Sequence, residues 1–344
     1  MVPFAGWEMP VQFAGILPEH RSVREAVGVF DISHMGQLFV EGEGAGEWLD
    51  SMLTNNLATL GDGEGQYSLM LNDRGGVIDD LIVYRVSQNR FFLVVNASMR
   101  DADIAWLGEH LSSGVDLIDS SAHFAAVAVQ GPKALAVYEA LHNELGLPPL
   151  PARNGIAMDR NDTTLVCRTG YTGEDGYEIF FPATDAESFY NPLLEAVTDA
   201  GGQPCGLGAR DSLRLEMGYP LNGSDLSPEL TPLQSGLGFF CKLDAAPFIG
   251  REVLVDQKEN GLPTRLAAIR IVGKSPPPRP HYPILAAGQE VGELCSGVLS
   301  PTLGQGIGMA YLPTPLWKVG TELEIEIRGR RFPAHVVKKP FAKG

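Results

Sequence analysis

Three features are scarce in this sequence: long apolar segments, cysteines and, relative to its acids, bases. No hydrophobic run approaches the roughly 18–20 residues that a membrane-spanning helix needs, so we expect no membrane span. The first four residues (Met-Val-Pro-Phe) contain neither the basic start nor the apolar core of a secretory signal. The chain is therefore expected to be cytoplasmic.

The 344 residues include only four cysteines, and these are far apart in sequence (Cys167, Cys205, Cys241 and Cys295). No Cys-x-x-Cys pair occurs, and no two histidines have the spacing of metal ligands. This pattern argues against a zinc site or a redox-active dithiol. We expect reduced thiols in the core and no bound metal.

Bases are outnumbered by acids, 26 to 42, and the net charge is −16. Such a charge disfavours a general nucleic-acid binder, because neutralising phosphates requires lysine and arginine. The last residues differ, since from Arg328 onward there are bases but no acid: Arg328, Arg330, Arg331, Lys338, Lys339 and Lys343. A segment of this kind indicates either a docking surface for an anionic partner or an ordinary solvated strand.

What the chain does contain is typical of a globular α+β protein. Hydrophobic residues make up 44% of it, and its length is enough for two or three domains. Pro18 and Gly28 mark the two ends of a predicted helix over 18–27, and the stripe of Phe189, Leu193 and Val197 predicts another over 185–200. Strands are predicted over 124–130 and, from a strict period of two with one apolar face, over 322–328. A third helix is predicted after a strand that ends at Asn96, with Ser98 as its N-cap. A proline-rich segment at 275–280 precedes an all-β region, so we expect a small antiparallel barrel or sandwich over 263–344 and a larger body over 1–262.

The segment 170–178 (Gly-Tyr-Thr-Gly-Glu-Asp-Gly-Tyr-Glu) stands between two runs rich in β-branched and aromatic residues. Its glycines can adopt the positive φ angles that tight turns require. The pattern predicts a β-turn-β unit that presents Tyr171, Glu174, Asp175 and Glu178. The residues alone leave two interpretations open, a binding site and a solvated acidic turn.

Two acids and one arginine lie where a chain enters a helix. Asp101 and Asp103 fall in the first turn of the helix predicted after Asn96, where the helix dipole favours acids but catalytic side chains also occur. Arg210 follows Gly206 and Gly208 at a glycine-to-helix junction. A nucleotide loop is rejected there because the third glycine and the Lys-Ser/Thr pair are absent.

Another cluster, Asp31, Ser33 and His34, contains the residue types of a hydrolase triad. Three partners this close on one strand cannot easily converge, and the chain lacks a nucleophile elbow. We therefore do not expect a triad.

Taken together, several motifs resemble the T-protein family of the glycine cleavage system, the tetrahydrofolate-dependent aminomethyltransferases. They occur in family order over nearly the whole length: 6–10 (Gly-Trp-Glu-Met-Pro), 30–35 (Phe-Asp-Ile-Ser-His-Met), 75–84, 94–97 (Val-Val-Asn-Ala), 129–132 (Val-Gln-Gly-Pro), 170–178, 206–216, 248–252 and 300–304 (Ser-Pro-Thr-Leu-Gly). No single motif is decisive, whereas the whole set is highly specific.

The resemblance implies a fold and a reaction. The fold is α+β, with interleaved folate-binding domains around a central cavity and a C-terminal antiparallel β-barrel. The reaction transfers the methylene of an aminomethyl group, carried on the lipoyl arm of the H-protein, to tetrahydrofolate, and releases ammonia. Tetrahydrofolate is then the co-substrate, and no metal is expected. The partners are the lipoylated H-protein and the P- and L-proteins of the same system.

The resemblance also implies roles for individual residues. Asp103, which directly precedes Ile104, matches the family's essential aspartate, expected to polarise the folate nitrogens, pass a proton and offset positive charge. Glu178 matches a pterin ligand, since a carboxylate can accept both the 2-amino and the ring N–H. Arg210 and Tyr171 are expected to contact the folate.

Asn96 and Tyr84, each within a matching motif, complete the predicted folate site. The sequence departs from the family in places that spare these residues. The Gly6-Trp7 motif stands unusually near the first residue, and Asn222 occupies a position where tyrosine is usual.

Two other functions are compatible with parts of the pattern. Another folate enzyme of the same fold, such as a demethylase, would keep the folate residues and change the donor pocket. A non-enzymatic folate-binding factor of iron–sulfur assembly would carry a Lys-Gly-Cys-Tyr-x-Gly-Gln-Glu motif. The corresponding segment here, 246–252, has no cysteine.

Overall fold

The computed structural model describes residues 1–342, and these form two compact units. Each unit is assembled from segments that are distant in sequence. The first contains Met1–Met70, Ile78–Arg210 and Asp244–Phe248, and the second contains Leu71–Val77, Asp211–Leu243 and the chain from Ile249 onward. Among the described residues, no helix is both long enough and apolar enough to cross a membrane.

Helices and strands alternate irregularly along the chain. Within residues 1–342 the α-helices, α1 to α7 in chain order, are Ile16–Glu25, Ala45–Met52, Arg100–Glu109, Ala134–Leu141, Ala186–Asp199, Leu207–Met217 and Arg251–Asn260. Short 3₁₀ turns occur at Leu57–Thr59, Ala183–Asp185 and Gly238–Phe240.

The strands also take their labels from chain order. Strands β1 to β13 are Val2–Phe4, Trp7–Met9, Gly28–Asp31, Gly36–Glu41, Glu64–Leu71, Val77–Ser87, Arg90–Val95, Asp116–Asp119, Phe124–Gln130, Ile156–Met158, Leu165–Cys167, Gly176–Pro182 and Gln203–Pro204. Strands β14 to β20 are Thr264–Ile271, Pro283–Ala286, Gln289–Glu293, Ser296–Leu299, Gly306–Pro313, Glu322–Ile327 and Arg330–Val337.

These strands form three large sheets and one hairpin, β1-β2. The first unit contains a five-stranded sheet in the order β5-β6-β7-β4-β8 and a six-stranded sheet in the order β10-β11-β12-β9-β3-β13. The second unit contains a seven-stranded antiparallel sheet, β16-β15-β19-β20-β14-β18-β17. Because β16 also lies beside β18, this sheet curls on itself, as expected for a barrel.

Strand β12 shows how the first unit fixes the direction of its side chains. Alternate residues of a strand point to opposite faces. Tyr177, Ile179 and Phe181 join a buried cluster with residues of α4 and α5. The opposite face carries Phe180, whose ring meets that of Phe92 from β7 edge-on at 5.2 Å. Glu178, on the same face as Phe180, therefore points towards the five-stranded sheet rather than towards the helices.

The predicted helix over 185–200 is confirmed as α5. Phe189, Leu193 and Val197 recur every four residues, and all three are buried in the cluster against β9 and β12. The strand predicted over 124–130 is β9, with the same bounds. The prediction of Ser98 as N-cap is wrong: the N-cap of α3 is Met99, and no side chain caps this end.

In the second unit, β19 follows the predicted period of two. Leu323, Ile325 and Ile327 are buried in the core of the curled sheet, while the intervening glutamates face outward. Helix α7 had no counterpart among the sequence-based predictions. Its buried surface is small, with Leu254 as its buried residue, so its apolar stripe is too weak to recognise.

The basic segment is partly neutralised by its own hairpin. Arg331 pairs in register with Glu326, and its guanidinium lies 3.7 Å from Glu326 and 3.8 Å from Glu324. The Lys339 ammonium donates to the Gly218 carbonyl at 3.3 Å. Lys343 lies outside the described residues. These contacts favour the interpretation as an ordinary strand over a dedicated docking surface.

Two glycines of the first unit provide a matched stability test. A Cβ at Gly176 would clash with the Val129 carbonyl and the Gln130 side chain, whereas a Cβ at Gly108, in α3, would meet nothing within 4 Å. We expect Gly176→Ala to lower the free energy of unfolding by about 1–3 kcal/mol. We expect Gly108→Ala to raise it by about 0.5–1 kcal/mol. Urea unfolding measures both, and equal stability of the two variants would contradict this packing.

Candidate active site

The β11-β12 hairpin presents Glu178 at the end of a chain of hydroxyl groups. In the six-stranded sheet Glu178 lies opposite Cys167 on one side and Ala128 on the other. Its Oε2 accepts a hydrogen bond from Thr169 Oγ1 at 2.7 Å, and Thr169 Oγ1 is also 2.7 Å from the Tyr84 hydroxyl. Burial raises the pKa of Glu178, while the bond from Thr169 and the charge of Arg210 oppose the rise.

The other two acids of the turn are engaged in ion pairs. Glu174 Oε1 is 2.8 Å from the Arg24 guanidinium, with both side chains largely buried. Asp175 Oδ2 is 3.0 Å from Arg168 and 3.4 Å from Arg153. Glu174 and Asp175 thus hold the turn in shape, which leaves Glu178 as the acid of this hairpin that is placed to recognise a ligand.

Arg210 lies in the first turn of α6 and faces the same hairpin. Its guanidinium stacks over the Tyr171 ring, 5.0 Å from the centroid. Arg210 also lies close to His34, whose pKa is lowered to about 4 by burial and by the Arg210 charge. His34 is therefore neutral at physiological pH, and Arg210 supplies the positive charge of this part of the site.

A second group of polar side chains lies where β6, β7 and α3 meet. Asn96, directly after β7, donates from its backbone N–H to Asp79 Oδ2 at 2.9 Å and from Nδ2 to Asp79 Oδ1 at 2.8 Å. The same Nδ2 is 3.0 Å from Asp80 Oδ1. The Tyr67 hydroxyl donates to Asp80 Oδ2 at 2.9 Å. Asp79 is fully buried, and Asp103 from α3 is fully buried beside it.

Asp79 and Asp103 must share a proton. No N–H or O–H donor within residues 1–342 reaches either carboxyl oxygen of Asp103, which instead makes a hydrogen bond with the Asp79 carboxyl. Two ionised carboxylates cannot form that bond, because each only accepts. Burial, followed by the charge of Asp79, raises the pKa of Asp103 to about 10. Burial raises the pKa of Asp79 too, but the bonds from Asp103 and Asn96 lower it. Within the pair, Asp79 is therefore assigned the negative charge and Asp103 the proton.

Asp80 is the third acid of this group, and its environment differs. Burial and the charge of Asp79 raise its pKa to about 7, although Tyr67 and Asn96 both donate to its carboxyl. A group with this pKa can gain or lose a proton near neutrality. Burial raises the pKa of Tyr67, and an ionised Tyr171 would raise it further, so the acid group and the glycine hairpin lie near each other.

The structure brings together most of the residues predicted from sequence. Asp103 and Asn96 both contact Asp79 in the acid group. Glu178, Arg210 and Tyr171 meet at the glycine hairpin, within the same unit. Tyr84 is fully buried and reaches Glu178 only through Thr169. Its predicted contact with folate stays a prediction, and its observed contact is indirect.

Sequence reasoning missed Asp79, Asp80, Tyr67 and Thr169 as site residues. Asp79 and Asp80 stood within a matching motif, and two adjacent acids in an otherwise apolar strand were the available signal. Thr169 had no such signal, because its hydrogen bonds become apparent only from its place in the folded structure.

The remaining candidates have structural roles. The Ser33 hydroxyl donates to the Ala126 carbonyl and accepts from the Ala126 N–H, so it is not poised as a nucleophile. The four cysteines are free thiols, three of them buried. Among residues 1–342 no group of histidine, cysteine and acidic side chains could hold a metal ion.

Comparison with known protein families shows which family contains this chain and its site. The family described as the GCVT N-terminal domain matches residues 1–245. The family described as the glycine cleavage T-protein C-terminal barrel domain matches residues 265–343. The chain belongs to the glycine cleavage T-protein family. The prediction of this family from the sequence motifs is confirmed, and so is its α+β fold class with a C-terminal barrel.

Individual T-protein relatives are similar over nearly their whole lengths. The chain is 45% identical to an aminomethyltransferase of Shouchella clausii over 99% of this chain and 94% of the relative. It is 44% identical to an aminomethyltransferase of Geobacillus thermodenitrificans with the same coverage. The crystal structure of a glycine cleavage system aminomethyltransferase from Bartonella henselae has a TM-score of 0.92 at 33% identity, covering 99% of this chain and 94% of that one. The prediction of an aminomethyltransferase is confirmed.

The shared proton predicts how stability depends on pH. The folded-state pKa of Asp103, about 10, lies above the unfolded value of roughly 3.9. The folded protein therefore holds one more proton between these values, and this contribution to stability declines as pH rises through the window. Asp103→Asn removes the titration and keeps a donor towards Asp79. In the unsubstituted protein the free energy of unfolding should fall as pH rises through this window. In Asp103→Asn we expect that slope to be smaller by up to about 1.4 kcal/mol per pH unit.

Urea unfolding at several pH values between roughly 5 and 9 tests this window. Asp101→Asn is the matched control, because the Asp101 side chain is 94% exposed in the same helical turn. If Asp103→Asn and Asp101→Asn show the same pH dependence as the unsubstituted protein, Asp103 is ionised in the folded state.

Proposed function

We propose that this chain transfers the methylene of an aminomethyl group, bound to the lipoyl arm of the H-protein, to tetrahydrofolate. Ammonia and the dihydrolipoyl H-protein are the other products. In this reaction the methylene carbon loses its bonds to nitrogen and sulfur and gains bonds to two folate nitrogens. The two folate N–H protons pass to the departing amine and thiolate.

The observation that carries the proposal is the buried pair of acids, Asp79 and Asp103, which lies near the glycine hairpin. Positive charge builds up on the aminomethyl carbon and nitrogen in an iminium-like state as the carbon–sulfur bond breaks, and the Asp79 carboxylate is fixed by Asn96 to stabilise that charge. Asp103 holds a proton in the same place and can exchange it as the reaction proceeds. This assigns Asp103 the catalytic role predicted from sequence and adds Asp79 as its ionised partner.

The hairpin residues fit the recognition of a pterin. A pterin edge presents an amino group and a ring N–H, and a carboxylate accepts from both. One oxygen of Glu178 already binds Thr169, which fixes the plane of the carboxylate. Arg210 and Tyr171 form a stacked cation–aromatic pair next to it, a surface suited to a flat ring with an anionic tail. Asn96 can add its amide oxygen to the site.

Domain roles and partners follow from the same proposal. We assign folate binding to residues 1–262 and the barrel to 263–344. The lipoylated H-protein is the donor that docks here, and the P- and L-proteins of the same system are the other partners.

Asp103→Asn tests the catalytic assignment. We expect transfer to slow by about a hundredfold or more, the usual loss when an acid–base group is removed. Tetrahydrofolate should still bind, because Glu178 and Arg210 are unchanged. The measurement is methylenetetrahydrofolate formed from aminomethyl-loaded H-protein in single turnovers. Asp101→Asn, two residues earlier and exposed, serves as the control.

Asp79→Asn tests the contribution of Asp79 separately from that of Asp103. We expect its transfer rate to fall at least as far as that of Asp103→Asn, because it removes the charge as well as the proton acceptor. Turnover near that of the unsubstituted protein in both variants would contradict the assignment. Transfer of an intact methyl group from a methylated donor to tetrahydrofolate, giving methyltetrahydrofolate, with no transfer from the H-protein, would instead favour a demethylase of the same fold.

A further inference from the structure

We propose that Thr169 is a positioning residue for folate recognition, whose hydroxyl links Tyr84 to Glu178 and fixes the orientation of the Glu178 carboxylate. The inference rests on the proposed function, because it takes Glu178 as the pterin ligand. It goes further by explaining why Tyr84, which is fully buried, belongs to the site at all.

Proton counting fixes the direction of the chain of hydrogen bonds. An ionised carboxylate only accepts, so Thr169 Oγ1 donates its single proton to Glu178 Oε2. Thr169 Oγ1 must then accept from the Tyr84 hydroxyl, 2.7 Å away. The order is therefore Tyr84 to Thr169 to Glu178, and reversing it would leave the carboxylate without its donor.

Tyr84, the first donor in this series of hydrogen bonds, is held in place by its packing. Tyr84 is fully buried, and its ring stacks on Phe92 with centroids 6.4 Å apart. Burial raises the pKa of Tyr84 well above its ordinary value, so the hydroxyl keeps its proton at any physiological pH. Tyr84 thus provides a permanent donor to Thr169.

Gln130 holds Thr169 from the backbone side. The Gln130 side chain is 1% exposed; its Nε2 donates to the Thr169 carbonyl at 3.1 Å, and its Oε1 accepts from Thr172 Oγ1 at 2.9 Å. Backbone and hydroxyl of Thr169 are therefore both fixed. A hydroxyl held in this way restricts the Glu178 carboxylate to one plane, which is what directional recognition of two N–H donors requires.

The surroundings of Glu178 predict a pH signature. Arg210 from α6 favours its ionised form, whereas the neighbouring Tyr84 from β6 and Cys167 from β11 become unfavourably charged only if they ionise. The Thr169 hydrogen bond also lowers the pKa of Glu178. Removing that hydroxyl must raise the pKa of Glu178. As the solution is acidified, the variant should therefore lose folate binding at a higher pH than the unsubstituted protein does.

The test measures the dissociation constant of tetrahydrofolate between about pH 5 and pH 8 for Thr169→Val and Thr169→Ser. Valine keeps the shape and removes the hydroxyl. We expect affinity to fall by about tenfold or more, and its acid limb to move to higher pH. Serine restores the hydroxyl and should restore both. Under saturating folate, the transfer rate of Thr169→Val should recover most of its value, because the acids that carry the chemistry are untouched.

Two control variants separate this inference from simpler explanations. Thr163→Val removes a hydroxyl that donates to Asp159 Oδ2 at 3.0 Å on an exposed turn of the same unit, and should leave folate binding unchanged. Glu178→Gln tests the proposed function itself. If Glu178→Gln binds folate normally, Glu178 is not the ligand and the proposed site is wrong. If Glu178→Gln weakens binding but Thr169→Val does not, or serine fails to rescue, only the role of Thr169 is overturned.

Discussion

The hydrogen bond between two buried carboxyl groups, Asp79 and Asp103, constrains the rest of this site. Burying two carboxylates side by side is strongly unfavourable, and one proton between them removes most of that cost. Asn96 decides which acid keeps the negative charge by donating twice to Asp79. The end of β7, the start of β6 and the first turn of α3 must therefore meet at one place, and the five-stranded sheet sets β6 next to β7.

The glycine hairpin solves a complementary problem, leaving one acid out of three without an ion pair to an arginine so that it can bind a ligand. Ion pairs with arginines engage Glu174 and Asp175, and the strand alternation of β12 points Glu178 away from the helices. The site thus contains two kinds of fixed group. A carboxylate and an arginine serve binding, and an acid pair with one proton serves the chemistry. Such preorganisation stabilises developing charge without reorganisation during the reaction.

Local sequence patterns predicted the elements well where apolar spacing was strong, as in α5, β9 and β19. They also indicated Asp103 and Glu178 through motifs. They could not reveal that Asp103 pairs with Asp79, because the two are joined by packing between distant segments. They missed Thr169 for the same reason, and α7 because its apolar stripe is weak. Ser98 was favoured by cap statistics, but the chain begins the helix one residue later without a side-chain cap.

The shared proton can be observed directly by infrared difference spectroscopy at neutral pH. Subtracting the spectrum of Asp103→Asn from that of the unsubstituted protein should reveal the carbonyl stretch of a protonated carboxylic acid, shielded from solvent and shifted by deuterium exchange. The corresponding carboxylate bands should be nearly unchanged, since Asp79 stays ionised in both. A difference spectrum with a lost carboxylate and no protonated acid would show that Asp103 is charged, and would contradict the account of this site.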